Sequence, residues 1–455
     1  QIMLEFERIT LLDYLLTPFV VGLIYFFGKR FRDRYYPFGH PYRRFFLPAL
    51  TFKMIGAIVI CLIYVYYYNG GDTINYFYHA RVINSSFDES PVKWFNLLLA
   101  IPNRYDPEYF EYTSLMEWYG ISGAYTVSQI AAVASLLTLN TFIPAALLFS
   151  VLSFTGVWAL FRTFAEQFPK LIEPIATATL FIPSVALWGS GIFKDTLCMF
   201  SLGWLCYATI QFFVYGNRSF RNITQILIHT LILATIKIYI IICIVPALSG
   251  WVLFKNTSRI KNKGLSNLVT VAALFLSIGV FGLLFTQPED ILGKYSLDNI
   301  QKTSKVTREW ISYSSKKDDG STYDLGDLDY SIFGVISKVP QAINVTFFRP
   351  YLWEAKKLIV FLSAIESFAL LLLTIKTLSV IGVKRFLQTV TTNYTVQFTL
   401  IFSLIFAFSV GISSFNFGAL SRYKIPCIPF FLLTLILVFY AHARPGERLA
   451  KSLRL

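Results

Sequence analysis

Residues 29–73 determine how the rest of the chain is interpreted, because successive stretches there differ sharply in composition. They read KRFRDRYYPFGHPYRR (29–44), FFLPALTFKMIGAIVICLIYVYYY (45–68) and NGGDT (69–73). The first stretch is strongly basic, the second is apolar and long enough to cross a bilayer, and the third is a polar glycine turn. Because basic residues beside apolar spans mark the cytoplasmic side, 29–44 is predicted to be cytoplasmic and 69–73 external.

Apolar blocks separated by short polar loops continue along the chain. Of its 455 residues, 55% are hydrophobic and 15% are charged, which a water-soluble core could not accommodate. The composition predicts an all-α, polytopic integral membrane protein with about 11 to 13 spanning helices in a single transmembrane domain, residues 1–455. The net charge is +14, but the basic residues flank apolar blocks, so no nucleic-acid partner is predicted.

Two further basic segments complete the predicted topology. Lys255–Lys263 and the tail after Tyr440 are basic and are predicted to be cytoplasmic. Residues 69–120 and 287–357 then form two large external loops. Their aromatic and charged residues predict amphipathic helices that lie in the membrane interface.

Two apolar stretches leave alternatives open. Residues 120–140 form either a full crossing or a membrane-parallel helix. Residues 222–254 form either two short crossings that meet outside near Lys237 or a single tilted helix. The stretch Trp188–Asp195 is small and polar, and it is predicted to lie outside.

Asp72 is the first candidate for chemistry. It follows Gly70 and Gly71, which lack side chains and therefore allow a substrate to approach closely. Tyr76 and His79 follow at helical spacing, so one helix face would present all three side chains. The structural alternative for Asp72 is an aspartate that caps a glycine turn.

Charged residues near other span ends form the remaining candidates. Lys194 and Asp195 are predicted to end a helix at the membrane surface, where ionisable groups pair or face water. Basic side chains there suit a phosphate, although they also commonly extend to lipid headgroups. The further candidates for substrate binding are Lys237, Arg349, Trp353, Glu354, Arg422 and Tyr423, with Lys424 beside them.

This arrangement resembles the GT-C superfamily of multispanning glycosyltransferases, which take sugars from polyprenyl-phosphate carriers on the outer side of the membrane. The resemblance rests on Gly71-Asp72-Thr73 at the start of the first external loop and on PSVALWGSGIFKD at Pro183–Asp195. It also rests on Arg422-Tyr423 with two prolines before the final span. One departure is an additional N-terminal span before the span that leads to Asp72.

The resemblance implies a reaction and its partners. These are a polyprenyl-phosphate sugar donor, a glycan, lipid or protein acceptor, and membrane lipid, in a bacterial cytoplasmic membrane with the active face external or periplasmic. Asp72 would act as general base in an inverting transfer, and Arg349, Arg422 and Lys237 would stabilise the departing phosphate. No motif requires a cofactor, and a divalent metal is compatible with the acidic residues.

Two other functions fit the same sequence features. A polysaccharide polymerase of the Wzy or EpsG type would also act on lipid-linked glycans with external arginines, and it would prefer a pyrophosphate carrier. A transporter or lipid flippase would instead place ionisable residues near the bilayer midplane and often shows inverted repeats. No internal repeat is visible in the sequence, so an enzyme is favoured.

The predicted topology can be tested at residue 318, in the second external loop. In a chain whose five native cysteines are replaced, Asp318→Cys should react with an impermeant maleimide added from the non-cytoplasmic side. Labelling from the cytoplasmic side alone would contradict the topology.

Overall fold

A computed structural model describes residues 9–257, 322–326 and 332–442. Before residue 258 the helices are α1 (Leu11–Tyr35), α2 (Arg43–Leu62), α3 (Asp72–Ser85), α4 (Pro91–Leu98), α5 (Phe110–Thr113), α6 (Ser122–Leu137), α7 (Phe142–Ala165), α8 (Ile172–Leu180), α9 (Pro183–Trp188), α10 (Lys194–Thr209) and α11 (Phe220–Thr257). After residue 331 they are α12 (Ile332–Ser337), α13 (Val339–Phe348), α14 (Leu358–Ile381), α15 (Val383–Thr392), α16 (Tyr394–Ser414), α17 (Phe417–Tyr423) and α18 (Ile428–His442).

Some predicted segments lie outside the described residues. They include residues 258–263 of the predicted cytoplasmic loop, residues 287–321 of the second predicted external loop, and the tail beyond residue 442. The side of the membrane on which each loop lies stays a prediction.

The described residues form an all-α membrane protein, as predicted. They contain no β-strand, only an isolated bridge between Thr322 and Asn416. In these residues seven helices are long and apolar enough to cross a membrane: Leu11–Tyr35, Arg43–Tyr67, Phe142–Ala165, Lys194–Val214, Phe220–Leu253, Leu358–Ile381 and Tyr394–Ser414. A bent pair, α17 and α18 at 65°, could form an eighth span. The count of about 11 to 13 refers to the whole chain and stays a prediction.

The two stretches that the sequence left ambiguous have distinct structures. Helix α6 has 16 residues, so at 1.5 Å per residue it is about 24 Å long and by itself shorter than a full crossing. Helix α11 runs for 38 residues, but its backbone is non-helical at Lys237, with φ −150° and ψ 81°. The break therefore falls at the residue where two short crossings were predicted to meet.

The described helices fall into two compact units. The first unit comprises residues 9–162, 185–205 and 227–237, and the second comprises the remaining described residues. The prediction of one transmembrane domain concerns the whole chain and stays a prediction.

Close backbone contacts and a long-range cap organise the first unit. Asp13, in the first turn of α1, is buried and accepts a hydrogen bond of 2.9 Å from the backbone N–H of Ile143 at the start of α7. It thereby satisfies one of the amide groups that a helix start leaves without a partner. Helices α7 and α10 touch at Gly156 and Gly203, where a methyl group on either residue would overlap the backbone of the other helix.

Stacked aromatic rings fill the second unit. Trp251 of α11 stacks on Phe398 of α16 with ring centroids 4.8 Å apart, and Phe347 of α13 stacks on Phe431 of α18 at 4.1 Å. Helices α13 and α16 are also joined by the hydroxyl of Thr346, which donates to the carbonyl of Ala407 at 2.7 Å. These contacts hold the last spans around a common core.

The glycine contact between α7 and α10 gives a stability prediction. Gly203→Ala should destabilise the protein by about 1–3 kcal/mol, because the new methyl group has no space against Gly156. The matched control is Gly22→Ala in α1, where nothing lies within 4 Å of the new methyl group. Thermal unfolding of the purified variants measures the difference. Equal melting temperatures for the two variants would contradict the predicted contact.

Candidate functional site

The first candidate face lies at the start of α3. Gly70 and Gly71 have φ values of +152° and +115°, which L side chains rarely adopt, and α3 begins at the next residue, Asp72. Tyr76 and His79 are buried, and their rings both contact Trp118, with centroids 4.7 and 5.2 Å away. The structure therefore brings Tyr76 and His79 together on one face of α3. Asp72, one turn earlier, is partly exposed.

His79 is held in its neutral form. Burial lowers the pKa of its imidazole to about 4, and the nearby charge of Arg104 lowers it further in the same direction. Its Nδ1 atom is buried and has no hydrogen-bond partner in the part of the chain that the structure describes. At neutral pH this ring is therefore an uncharged polar group.

Lys194 and Asp195 lie at the start of a helix, so the prediction that they end one was wrong. Helix α9 already ends at Trp188, and α10 begins at Lys194 after a turn through Gly189 and Gly191. The small residues interrupt the helix earlier than the apolar pattern indicated. Lys194 is partly buried, while Asp195 in the first turn of α10 is fully buried.

Asp195 forms an ion pair with Lys237, which sequence reasoning treated as a separate candidate. The Nζ atom of Lys237 donates to Oδ1 of Asp195, and the two side chains are 10% and 1% exposed. Because Lys237 lies at the non-helical residue of α11, the pair joins a helix break to the first turn of α10. A buried pair of this kind compensates charges that would be costly in an apolar surrounding.

Lys53 is a buried polar residue that sequence reasoning missed. It lies inside α2, is 1% exposed, and its Nζ atom donates to the carbonyls of Val185 at 3.1 Å and Gly189 at 2.6 Å. The Val185 carbonyl also accepts from the amide of Gly189 at 3.1 Å, and the Gly189 carbonyl lies just beyond the end of α9, where helix-end carbonyls lack helical partners. The signal was present in the sequence, since Lys53 is the single charged residue in the apolar stretch 45–68.

In the second unit, Arg349 and Glu354 form a two-pronged ion pair. The Nε atom of Arg349 lies 3.1 and 3.0 Å from the carboxylate oxygens of Glu354, and its Nη2 also donates to Oε1. Burial raises the pKa of Glu354, but the hydrogen bonds from Arg349 and from the Tyr351 amide lower it, and the net shift is downward. Trp353 stacks on Tyr351 with centroids 5.0 Å apart and is 80% exposed.

The break between α17 and α18 lies close to Arg349. Arg422 in the last turn of α17 is buried, Tyr423 is partly exposed, and Lys424 is fully buried. The Nζ atom of Lys424 donates to the hydroxyl of Ser367 at 2.7 Å and lies 3.5 Å from the carbonyl of Arg349. The candidates Arg349 and Lys424 therefore lie together in the second unit.

A second missed residue is Glu366, on the spanning helix α14. Its carboxylate accepts hydrogen bonds from the amide of Ser184 at 2.9 Å and from the Ser184 hydroxyl at 2.6 Å. It also lines a mostly apolar cavity of about 280 Å³ beside α8 and α18. A single acidic residue within an apolar block was the available signal.

The structure groups the predicted site residues by unit. Asp72, Tyr76, His79, Lys194, Asp195 and Lys237 belong to the first unit, whereas Arg349, Trp353, Glu354, Arg422 and Tyr423 belong to the second. From the sequence we also predict that Asp72 lies within reach of Arg349 or Arg422 and that the two external loops share a cavity, and both stay predictions. Among the described residues, no group of three or more His, Cys, Asp or Glu side chains could hold a metal ion.

The fold defines a class: the chain is an all-α polytopic integral membrane protein. No protein-family model, curated protein or solved structure matches it at a significant level.

The buried pair of Asp195 and Lys237 gives a prediction about coupling. Lys237→Met alone should destabilise the protein by about 3–5 kcal/mol, because it leaves a buried carboxylate without its cation. Adding Asp195→Asn to that variant should restore much of the loss. Thermal unfolding of both single variants and the double variant measures the coupling.

An exposed ion pair provides the control for this cycle. Lys93 and Glu89 pair four residues apart in the same unit, with Glu89 about half exposed, so Glu89→Gln should change stability little. Additive effects of the Asp195 and Lys237 substitutions would show that the buried pair is not coupled.

Proposed function

We propose that the chain is a membrane glycosyltransferase that moves a sugar from a polyprenyl-phosphate donor to an acceptor at the non-cytoplasmic face. The observation that carries this proposal is the position of Asp72, partly exposed on the glycine turn that opens α3. The predicted carboxylate Asp195 is fully buried, whereas Asp72 is partly exposed and can therefore meet an acceptor.

In this reaction Asp72 acts as the general base. Its carboxylate takes the proton of the acceptor hydroxyl, and the hydroxyl oxygen attacks the anomeric carbon of the donor sugar. The bond from that carbon to the phosphate oxygen breaks, the electron pair leaves with the polyprenyl phosphate, and the configuration at the carbon inverts. Positive charge stabilises the departing phosphate in such a transfer, and the sequence-based candidates for this role are Arg349 and Arg422.

The pairing of Arg349 places a condition on that role. Glu354 already occupies the Nε and Nη2 atoms of Arg349. A phosphate would therefore bind at Nη1 or displace Glu354. Arg349→Ala should then weaken both donor binding and turnover, since it removes a charge that acts before and during bond cleavage.

A transporter is the second candidate function, and a specific observation favours it. Helix α11 is broken at Lys237, and the buried ion pair with Asp195 lies at that break. Broken spanning helices with charged residues at the break form substrate and ion sites in many transporters. Lys53, buried within α2, adds a further charge inside a span.

The general-base role is tested by replacing Asp72 in reconstituted protein. Asp72→Asn keeps nearly the same side-chain volume and should lower transfer from a radiolabelled polyprenyl-phosphate sugar by about 10² to 10⁴-fold. Asp88→Asn is the matched control, because Asp88 is an exposed aspartate in the same segment after α3, and it should retain wild-type transfer.

The same proteoliposomes separate the two candidate functions. Undiminished transfer by Asp72→Asn would remove Asp72 as the base, and Asp195 would be tested next. Accumulation of labelled sugar lipid in the opposite leaflet, without any transferred product from wild-type protein, would favour the transporter.

A further inference from the structure

Trp118 is a half-buried indole between α5 and α6 that the proposed reaction leaves without a role. Its ring contacts two buried rings of α3, Tyr76 at 4.7 Å and His79 at 5.2 Å between centroids. The interplanar angles are 48° and 68°, so Tyr76 and His79 support the indole at an angle and do not lie parallel to it. Trp118 as a whole is partly exposed.

The segment that carries Trp118 is fixed by hydrogen bonds within the same unit. Arg104 donates from Nη1 to the carbonyl of Glu117 at 3.1 Å, and the hydroxyl of Thr113 donates to the carbonyl of Arg104 at 2.6 Å. On the other side of Trp118, the hydroxyl of Tyr119 donates to the carbonyl of Pro102 at 2.8 Å. The chain on both sides of Trp118 is therefore fixed before any ligand binds, which lowers the entropic cost of binding.

A neighbouring tryptophan shows what a structural indole does in this segment. Trp94 lies against Phe87, and its Nε1 donates to the side-chain oxygen of Asn84 at 2.9 Å. Within the described part of the chain, Trp118 donates no such hydrogen bond from Nε1. A partly exposed indole usually finds a polar partner for this group, so Trp118 presents both an aromatic surface and a hydrogen-bond donor to a ligand.

We infer that Trp118 is the platform that binds the sugar ring of the substrate, with Tyr76 and His79 fixing its orientation. This inference rests on the proposed function. The carbon-bound hydrogens on one side of a pyranose carry partial positive charge, and the face of an indole is negative, so the two surfaces attract. The Nε1 group can donate to a sugar hydroxyl at the edge of the ring.

The position of the platform suits a reaction at Asp72. Tyr76 lies one turn after Asp72 on α3, about 6 Å along the helix axis. A pyranose ring is of similar width. A sugar on Trp118 would therefore have one edge near the carboxylate, and Trp118 is a substrate-binding residue that leaves the proton transfer to Asp72.

The experiment compares Trp118→Leu and Trp118→Phe with Trp94→Leu in full-length reconstituted protein. Apparent KM and kcat are measured with the polyprenyl-phosphate sugar. Saturation-transfer NMR measures contact with methyl glycosides of glucose, galactose, mannose and N-acetylglucosamine. Trp118→Leu should raise KM about 3- to 10-fold with little change in kcat and should lose the NMR contact, while Trp118→Phe should keep most of both.

The outcomes separate the platform from the reaction. Suppose that wild-type protein transfers sugar and that Trp118→Leu behaves like Trp94→Leu in KM and NMR contact. The sugar-binding role of Trp118 is then wrong, and the proposed transferase function is retained. If methyl glycosides contact wild-type protein through Trp118 but no transfer occurs, the sugar-binding role of Trp118 is retained and the proposed transferase function is wrong. If Trp118→Phe loses as much as Trp118→Leu, the aromatic ring is not what binds the sugar and the inference is overturned.

Discussion

A helix that breaks within an apolar surrounding leaves carbonyl groups without partners, and in this chain buried lysines lie at such breaks. Lys53 donates to the carbonyls that end α9, Lys237 occupies the break of α11, and Lys424 follows the end of α17. Hydrocarbon cannot supply the missing hydrogen bonds, so the protein must do so. The turn at Gly189 depends directly on one of these lysines, because Lys53 donates to the Gly189 carbonyl.

Two of these lysines also have a polar side chain as a partner. Asp195 neutralises Lys237, and Ser367 accepts a hydrogen bond from Lys424. Burial of an uncompensated ammonium group is expensive, so these partners are as necessary as the lysines. The same interactions that stabilise the breaks therefore also concentrate charge inside the protein, which is the property that an enzyme or a transporter of charged lipids requires.

The segment between α2 and α6 shows a different use of polar and aromatic residues. Its helices are too short to span a membrane, and its rigidity comes from side-chain bonds to backbone carbonyls, such as that from Arg104 to Glu117. Trp118 and Asp72 lie in this one segment. An aromatic surface and a partly exposed carboxylate in a single compact unit are the features on which the proposed transferase and its proposed sugar platform rest.

The sequence by itself determined the class of protein, because long apolar blocks admit only spanning helices. It also predicted the helical face shared by Tyr76 and His79 from helical spacing, whereas a break near Lys237 was one of two alternatives that the sequence left open. Only the tertiary structure paired Asp195 with Lys237 and Lys53 with the end of α9, residues that are 42 and more than 130 positions apart. Such pairings depend on which helices lie side by side, and apolar periodicity in a membrane protein carries little information about that, because lipid and protein interiors are both apolar.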